Sequence, residues 1–454
     1  MIRDFFFKGA SRLVAALAVS LVFGPRTAHA GNLDAFYVSA EAALQAGAVT
    51  ATSSTGGSIW YNPAGLSQLS GTRVDVNVSA YTARFGANVG FDSSVEGTVE
   101  NRLNLLAVDV VPAAFTIARR FGKVGLGLGV FVPVQNSVVL RTHLEAPAGP
   151  DGEPPLEFGY DSSSNTREYH LGPGIGWDPL RRLSIGASLL ANYRTQFEAT
   201  DVAATAAGPS GRASFSTHRS RESLGVGLEL VLGAKWKLDD GWRLGAVVRT
   251  PSLRLGQAGK QIETELRVSP DGQAGQDIVF DETLSLGTQV LSPFRFHAGV
   301  SKEFERLRGA LDLSLLLPYR NELFGIVERA TWNARLGAQT ELNPNWSVGG
   351  GLFTDRSFKE KPSDFLDKQI DFYGVTVAVD WMSSYGVYSK GKRQVAPPRA
   401  LLFGTTISLS YGLGLGTIAG ALVGPGMDGV DLRAHTSEVV AHEFSLHIAS
   451  TLAE

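Results

Sequence analysis

The sequence predicts an all-β protein: a closed antiparallel transmembrane β-barrel of about 14 strands. Three observations predict this fold class: an export signal at the N-terminus, no long apolar run after it, and repeated alternation of apolar and polar residues. Charged residues make up only 19% of the 454 residues and glycine occurs 52 times, which is typical of strands and turns.

The composition excludes several classes of function. The chain has no cysteine, so a disulfide framework, a thiolate nucleophile and a zinc ribbon are excluded. The formal net charge is −3 and no long run of Lys and Arg occurs, so nucleic acid is not an expected partner. A barrel lipase is not expected either, because no G-x-S-x-G elbow occurs and His442 and His447 stand on opposite faces of one strand. We predict a protein that is not an enzyme and that holds no metal and no cofactor.

The N-terminus has the features of a secretory signal peptide. Basic residues precede an apolar run at 13–24, and Ala28-His29-Ala30 is an A-x-A cleavage signal. The apolar run is shorter than the roughly 20 residues that span a bilayer, so the sequence favours a signal peptide at 1–30 over a membrane anchor. No later stretch reaches about 18 consecutive apolar residues, and we therefore expect no transmembrane helix.

Period-two alternation identifies the strands, because a barrel strand turns one face to lipid and the other to the lumen. In residues 73–80, valine and alanine alternate with arginine, aspartate, asparagine and serine. Residues 183–198 alternate over about fifteen positions, whereas globular strands usually have about five or six residues. Such lengths favour strands that cross a membrane or project beyond it.

Two hairpins repeat the pattern. Residues 224–238 and 242–248 alternate on either side of an Asp-Asp-Gly turn, and residues 332–342 and 346–353 alternate on either side of an Asn-Pro-Asn turn. Tryptophan flanks both turns, where an aromatic girdle at the membrane interface is expected. Short turns of this kind predict the periplasmic end of a barrel.

Long polar stretches between the alternating segments predict long loops on the outer side. They comprise residues 142–166, 200–219, 256–281, 357–371 and 390–399. A periplasmic sandwich or propeller is the alternative, but no repeat of about 40 residues is found. The Gly-rich residues 411–426 fit either a strand pair or a loop. The C-terminus, residues 450–454, lacks the terminal aromatic residue usual for such barrels, so its assembly signal stays open.

Residues 31–71 differ from the strands. Small residues lead to Asn62-Pro63-Ala64-Gly65, directly before the first strand. This resembles the N-terminal hatch of the FadL-type outer-membrane transporters of long-chain fatty acids and hydrocarbons, in which a segment ending in an Asn-Pro-Ala motif plugs a 14-stranded barrel. The regions that the resemblance implies are a signal peptide at 1–30, a hatch at 31–71 and a barrel at 72–454.

The residue types of the motif are consistent with a plug. Asn62 tends to start a turn, Pro63 cannot donate to a ladder, and Gly65 can adopt a positive φ. We therefore expect the chain to reverse here and fold inward. An ordinary turn before an edge strand is the alternative.

The resemblance implies uptake of a hydrophobic small molecule, with a long-chain fatty acid as the first expectation, by passive diffusion through the plugged barrel. Cargo would be captured at the outer loops, pass beneath the hatch and leave sideways where the third strand bends inward. Gly125, Gly127 and Gly129 share one face of a strand and Pro133 removes a ladder donor, so these four are candidates for that kink and lateral opening. The alternative is that the glycines mark a curved wall against the hatch.

A carboxylate cargo needs a cation beside an apolar pocket. Arg73 and Arg194 are candidates for binding it, and pairing with a neighbouring carboxylate is the alternative for each. The resemblance also implies a monomer in the outer membrane of a Gram-negative bacterium, in contact with its lipids and lipopolysaccharide. A channel for aromatic hydrocarbons and a general diffusion porin are the alternative functions. The chain length of the cargo and the pocket residues stay open.

Overall fold

The structure is a computed structural model. The residues that it describes are 37–87, 91–93, 99–100, 111–146, 156–208, 211–268, 274–281, 293–321, 326–358, 368–386, 400–426 and 429–454. The predicted signal peptide and the first residues of the predicted hatch, 31–36, lie outside them.

Strands dominate the described chain, and the few helices are short. The helices are α1 (Ala40–Leu44), α2 (Ser58–Tyr61) and two 3₁₀ helices, Pro63–Gln68 and Asp239–Gly241. The strands are β1 (Thr72–Ala87), β2 (Phe91–Ser93), β3 (Val99–Glu100), β4 (Val111–Phe121), β5 (Val124–Ala146), β6 (Leu156–Leu180), β7 (Leu183–Gly208), β8 (Gly211–Lys237), β9 (Trp242–Arg249), β10 (Leu253–Val268), β11 (Ala274–Asp281), β12 (Arg295–Glu303), β13 (Leu307–Leu316), β14 (Tyr319–Asn321), β15 (Ile326–Glu328), β16 (Thr331–Asn343), β17 (Trp346–Asp355), β18 (Lys368–Gly386), β19 (Ala400–Gly426) and β20 (Gly429–Ala453). None of the helices in these ranges has the length and apolar character needed to cross a membrane.

Fourteen antiparallel strands close into a ring, which confirms the predicted fold class. Around the ring run β1, β4, β5, β6, β7, β8, β9 with its continuation β10, β12 with its neighbour β11, β13, β16, β17, β18, β19 and β20. The ring closes where β20 pairs with β1, from Arg73 opposite Ala453 to Ala87 opposite Val440. Closure removes the free edges of the sheet, which is what allows strands to cross lipid.

The two faces of the strands have the predicted characters. In β7, Leu189 and Tyr193 are exposed on the outside, whereas Ser188 and Asn192 on the other parity are buried. In β1 the exposed residue is Val76, and the polar residues on either side of it are buried. The apolar face therefore points toward lipid and the polar face toward the interior.

Exposed tryptophans mark two levels on the outside of the barrel. Trp236, Trp242 and Trp346 lie beside the short turns, and Trp332 lies near the other end. Eleven residue steps of β16 separate Trp332 from Asn343, which pairs with Trp346. At about 3.3 Å per residue and a tilt of about 40°, this separation is about 28 Å along the barrel axis, close to the height of an apolar membrane band.

Several of the predicted loops are wrong. Residues 200–208 belong to β7 and 211–219 to β8, and most of 256–281 belongs to β10 and β11. Likewise β5 runs into the predicted loop 142–166, and β6 begins within it. Apart from β11, these strands are 16 to 27 residues long. Their polar parts lie beyond the apolar outer band of the barrel. Both faces of a strand contact water there, so apolar and polar residues no longer alternate.

One region that the sequence left open and two further predicted loops can also be compared with the structure. The Gly-rich residues 411–426 form the second half of β19, which pairs with both β18 and β20. The predicted loop 357–371 ends inside β18. The predicted loop 390–399 lies outside the described residues, but it joins β18 to β19 at the end that carries the short turns, because Gly386 pairs with Ala400 there. It was expected at the opposite end.

Candidate functional site

The N-terminal segment, residues 37–71, lies inside the ring. Helix α1 contacts β16 to β20, and the 3₁₀ helix Pro63–Gln68 contacts β4 to β8. A segment that contacts opposite arcs of a closed ring occupies its lumen. Most of its side chains are buried, including Val38, Ile59 and Leu66.

One side of the segment is held by polar contacts. The Tyr37 hydroxyl is 2.6 Å from Thr376 Oγ1 on β18, and Gln45 Nε2 donates to Gln339 Oε1 on β16. Further along, Asp312 Oδ2 on β13 accepts a 2.7 Å hydrogen bond from the Thr50 N–H. The bonding groups come from lumen-facing positions of β13, β16 and β18, so the polar parity of the strands is what anchors this side.

The Asn62–Gly65 motif joins the segment to the wall. Asn62 Oδ1 caps the 3₁₀ helix by accepting from the Ala64 N–H, while Nδ2 donates to the backbone oxygens of Thr50 and Ala234. Gly65 does not take the expected positive φ, and it lies inside the 3₁₀ helix. A Cβ there would come within 2.0 Å of the Ser53 carbonyl oxygen, so close approach of two backbones is what requires glycine.

A belt of glycines lines the wall where the segment packs. At these positions an added Cβ would meet the backbone of the segment: Gly125, Gly176, Gly186, Gly245, Gly337 and Gly349. At Gly245 the nearest atom is the Thr50 carbonyl oxygen, 2.2 Å away. The belt spans β5, β6, β7, β9, β16 and β17, so the wall contacts the segment without intervening side chains on both arcs.

The predicted kink residues lie on β5, the third strand of the ring. Gly125 and Gly127 face the segment, and Gly129 leaves room for the Phe131 ring, whose Cζ would be 2.5 Å from a Cβ there. Pro133 sits in a bulge: Phe131 pairs with His170 of β6, but Val134 pairs with Glu168, so β5 has one extra residue. The strand is therefore irregular at the predicted place, and its use as a lateral opening stays a prediction.

An apolar cluster fills the space between the segment and this part of the wall. Trp60 packs against Phe131, with ring centroids 5.4 Å apart, and both are buried. Leu190, Val231 and Val247 from β7, β8 and β9 complete the wall side of the cluster. These residues give this part of the lumen an apolar surface, and a second buried apolar cluster on β18 and β20 contains Ile370 and Phe372.

A small polar cavity lies on the other side of Trp60. Its wall residues come from β9, β12, β13 and β16: Arg249, Arg295, His297, Asp312, Ser314, Asn333 and Arg335. Strand register brings them together, because Arg295 pairs with Arg249 and Asp312 with Arg335. The space open to the centre of a water molecule is about 30 Å³, so in this conformation the cavity admits water or a small polar group but not a hydrocarbon chain.

Arg249 connects the cavity to the apolar cluster. Its Nε and Nη2 donate to the two oxygens of Glu229 at 2.9 and 3.2 Å, and its guanidinium carbon lies 3.8 Å from the centre of the Trp60 ring. His170 meets the same ring edge-on, with centroids 5.1 Å apart. Trp60 is therefore held between an apolar wall and a charged one.

No protein-family model and no curated protein matches the chain. Solved structures that resemble it include a FadL homologue from Pseudomonas aeruginosa, with 11% identity, a TM-score of 0.56, and coverage of 93% of this chain and 99% of that one. The CymD monoaromatic hydrocarbon channel has 15% identity and a TM-score of 0.57, over 92% of this chain and 97% of that one. The Pseudomonas putida toluene transporter TodX has 14% identity and a TM-score of 0.53, over 93% and 99%.

The chain has the FadL-type fold. The resemblance found in the sequence is confirmed at this level. The names of these structures describe a FadL homologue, a hydrocarbon channel and a toluene transporter. Among the residues that the structure describes, no group of three or more His, Asp or Glu side chains could hold a metal ion.

In this FadL-type barrel, both predicted carboxylate-binding arginines face the interior and lie beside carboxylates of the chain. Arg73 Nε lies 2.7 Å from Asp75 Oδ1, and its Nη2 donates to Thr451. Arg194 Nη1 lies 3.9 Å from Glu168 Oε2. These contacts agree with the alternative interpretation, in which each arginine is a lumen charge paired with a neighbouring carboxylate. A role of either arginine in binding cargo stays a prediction.

Sequence reasoning missed the arginines of the cavity. Arg249 and Arg335 lie on the lumen parity of the two predicted hairpin regions, opposite the faces that carry Trp242 and Trp332. A signal was therefore present: an arginine on the polar face, several residues from either turn. Nothing in the sequence indicated that these strands are close enough in the ring to share one cavity.

Proposed function

We propose that the protein is an outer-membrane channel through which hydrophobic small molecules, long-chain fatty acids first among them, diffuse passively into a Gram-negative cell. The observation that carries the proposal is the apolar cluster of Trp60 and Phe131 beside the β5 bulge, inside a closed barrel with an apolar outer face. The fold shared with a FadL homologue and with hydrocarbon channels supports it.

In this proposal residues 31–71 form the hatch. Cargo reaches the lumen between the projecting strands, contacts the cluster at Trp60, and takes the place of side chains that now fill the space beside Phe131. The surrounding lumen carries polar residues such as Asn192 and Gln196, whereas the cluster offers apolar contact to a hydrocarbon chain beside the β5 bulge. A displacement of Trp60 is part of the proposal, because the buried rings of Trp60 and Phe131 fill the space between the segment and this part of the wall.

The exit is proposed beside β5. The bulge at Pro133 breaks the regular pairing of β5 with β6, and among the described residues β4 pairs with β5 from Phe121 opposite Val124 to Ala114 opposite Phe131. Beyond Phe131, cargo would therefore meet the wall where the ladder of β5 with β6 is interrupted. Lipid lies directly outside, since Phe115 and Val130 are exposed on the outer face there.

Aromatic hydrocarbons are the second candidate cargo. The rings of Trp60 and Phe131, tilted at 41° to each other, offer aromatic surface to a flat ring. The names of CymD and TodX describe a monoaromatic hydrocarbon channel and a toluene transporter, and both have this fold. A general diffusion porin is less favoured, because the segment fills the lumen and packs against the glycine belt; a large steady conductance for small ions would contradict the plugged arrangement.

Uptake by cells tests the proposal. Cells lacking their own hydrophobe channels would express the protein or a variant from which Pro133 is deleted, and accumulation of a labelled long-chain fatty acid and of labelled toluene would be followed. The deletion makes the β5–β6 ladder regular, because it removes the extra residue. The matched control deletes Ala80, the extra residue of β1 opposite β20.

We expect the parent protein and the Ala80 deletion to support uptake and the Pro133 deletion to reduce it about tenfold or more. Folding of each variant is checked by the shift in gel mobility that a folded barrel shows before heating. Uptake no faster than in cells without the protein would overturn the proposed function. Normal uptake by a folded Pro133 deletion would overturn only the exit beside β5.

A further inference from the structure

We infer that the outer face of β16, β17 and β18 carries a binding site for the phosphate group of an outer-leaflet glycolipid of the lipopolysaccharide type. The site consists of Trp332, Arg329 and Arg356, with Asp371 in contact with both arginines. The inference does not depend on the cargo of the channel. It names a lipid that the wall binds on the outside of the barrel.

The strand register places these side chains in one row on the outside. Arg356 directly follows β17 and has the parity of Leu352, which is exposed on the outer face. Asp371 has the parity of the exposed Tyr373 on β18. The Arg356 guanidinium carbon lies 5.0 Å from the centre of the Trp332 ring. The row is therefore open to the membrane and not to the lumen.

The row lies at the level of the outer membrane interface. Trp332 is about 28 Å along the barrel axis from Asn343, which lies beside a short turn. Lipid head groups lie at this level, and tryptophan is enriched there because its ring is amphipathic. A basic side chain at this level meets the charged part of a lipid. In a leaflet of lipopolysaccharide, that part includes the phosphate groups on the sugars.

The two arginines exceed the negative charge that the described chain offers them. Asp371 lies 3.6 Å from Arg329 Nη2 and 3.5 Å from Arg356 Nε. Its Oδ1 already accepts a 2.9 Å hydrogen bond from the Ser357 N–H. The other partners of Arg329 are neutral oxygens, the Ser357 carbonyl and the Gln369 amide. Two positive charges and one negative charge leave one positive charge beside the lipid, which is costly unless an anion accompanies it.

A comparison with Arg182 shows that this arrangement differs from an ordinary surface ion pair. Arg182, in the turn between β6 and β7, donates to both carboxylate oxygens of Asp239 at 2.7 and 3.2 Å. By contrast, Arg356 Nε has no hydrogen-bond partner in the described part of the chain, although the side chain is 26% exposed. A guanidinium presents its donors in a planar fork that matches phosphate. The donors that Asp371 leaves unused can therefore bind a lipid phosphate.

Trp332 favours a phosphate that belongs to a lipid. Its ring is exposed beside Arg356, and Leu336 and Leu352 continue the apolar outer face toward the short turns. A phosphate at the arginines therefore has an aromatic surface for the sugar that carries it and an apolar wall for the acyl chains. Inorganic phosphate would gain only the charge contacts, which water and salt weaken at an exposed site.

Equilibrium binding to the purified, detergent-solubilised full chain tests the inference. The probes are lipopolysaccharide, the same lipopolysaccharide after removal of its lipid phosphates, and inorganic phosphate. The test variant carries Arg329→Gln and Arg356→Gln together, and the control is Arg182→Gln. Asp371→Asn is a second test variant, because it removes the competing negative charge while its amide oxygen can still accept from the Ser357 N–H. Folding of each variant is checked by gel mobility.

We expect the double substitution to weaken binding of lipopolysaccharide about tenfold or more, and Arg182→Gln to leave it unchanged. Asp371→Asn should strengthen it about threefold, a gain that misfolding cannot produce. The dephosphorylated probe and inorganic phosphate should each bind at least tenfold more weakly than intact lipopolysaccharide.

Three results would overturn the inference. The first is binding of lipopolysaccharide that changes with neither the double substitution nor Asp371→Asn. The second is a dephosphorylated probe that binds as tightly as the intact one, because phosphate would then not be recognised. The third is inorganic phosphate that binds as tightly as lipopolysaccharide, because the site would then take a free anion. None of these results bears on uptake of cargo, so each leaves the proposed function as it stands.

Discussion

The two arcs of the wall hold the N-terminal segment by different means. The arc from β4 to β9 meets it through hydrogen bonds, such as that of Lys235 to the Ser53 carbonyl, and also through the apolar cluster of Trp60, Phe131 and their neighbours. The arc from β13 to β18 meets it through directional bonds to Tyr37, Gln45 and Thr50. Glycines bring the segment against backbone on both arcs, so the difference lies in the side chains.

This difference indicates which side can give way to cargo. Apolar contacts are non-directional, so a hydrocarbon can replace a side chain there with little change in free energy. Hydrogen bonds between buried groups are costly to leave unmade, so the polar arc keeps the segment in register while the apolar arc adapts. Substitutions on the two arcs should therefore differ in how they change the unfolding free energy and the uptake of cargo.

The largest effect on stability is expected from Phe131→Ala. The ring is fully buried in the cluster, and removing a buried phenylalanine costs about 3–5 kcal/mol of unfolding free energy. The measurement is urea unfolding in detergent, followed by gel mobility. Phe115→Ala on β4 is the control, because Phe115 is 48% exposed on the outer face, and its loss should cost much less. Equal losses for both variants would contradict the description of Phe131 as part of the apolar arc.

Phe131→Ala also tests the adaptable character of the apolar arc. The vacated space lies beside Trp60, where cargo is proposed to bind, so decanoate should restore part of the lost stability. No restoration, in a protein that still binds decanoate, would mean that cargo binds elsewhere.

Gly245→Val is expected to have the next largest effect. Its Cβ would lie 2.2 Å from the Thr50 carbonyl oxygen, so either the segment or the wall must move. Overpacking of this kind costs about 1–3 kcal/mol, and the displaced segment should raise the single-channel conductance for small ions. Gly309→Val is the matched control, because no atom lies within 4 Å of the position of its Cβ. A conductance unchanged in both variants would show that the segment does not seal the lumen at this level.

The contrast between the arcs was only partly readable from the sequence. The alternation in residues 183–198 correctly predicted which face contacts lipid and which faces the lumen, because the residue types on each face of a strand match the surroundings of that face. The motif Asn62–Gly65 correctly indicated a segment that does not pair as a strand. Alternation cannot show that Phe131 and Val247 meet across the lumen, or that Arg249 and Arg335 share a cavity, because those contacts depend on the register and curvature of the whole ring.

The errors have a common physical cause. Residues 200–219 were assigned to a loop because their apolar parity fades, yet they continue β7 and β8 beyond the membrane, where water contacts both faces. For Gly65, sequence reasoning assumed a positive φ, whereas the closeness of Ser53 explains the glycine. In both cases the sequence pattern was real, but its structural cause was misassigned: polar surroundings were interpreted as a loop, and a close backbone contact was interpreted as a positive φ.

On the polar arc, Asp312→Ala should cost about 1–3 kcal/mol, because it leaves the Thr50 N–H buried without its acceptor. Asp312→Asn is the control, since its amide oxygen can still accept this bond. Urea unfolding measures both. Decanoate should not restore the stability of Asp312→Ala as it does that of Phe131→Ala, because the lost group is a directional acceptor. If decanoate restored the stability of both variants equally, the proposed difference between the two arcs would be wrong.

The smallest effect is expected from Tyr37→Phe, at about 0.5–1.5 kcal/mol, because Thr376 loses one partner but keeps its 2.8 Å contact with Ser410. Tyr37 lies outside the membrane-spanning strands, and burial raises the pKa of its phenol above the ordinary value of 10.0. A raised pKa in the folded state means that this contribution is complete below pH 10 and is lost as the pH rises further, since the unfolded chain then releases the proton more readily. The unfolding free energy of the parent should therefore fall more steeply above pH 10 than that of Tyr37→Phe, so that the two curves converge. Parallel curves from pH 7 to 11 would show that the Tyr37 hydroxyl is not buried in the polar arc, and Tyr37 would then not hold this side of the segment.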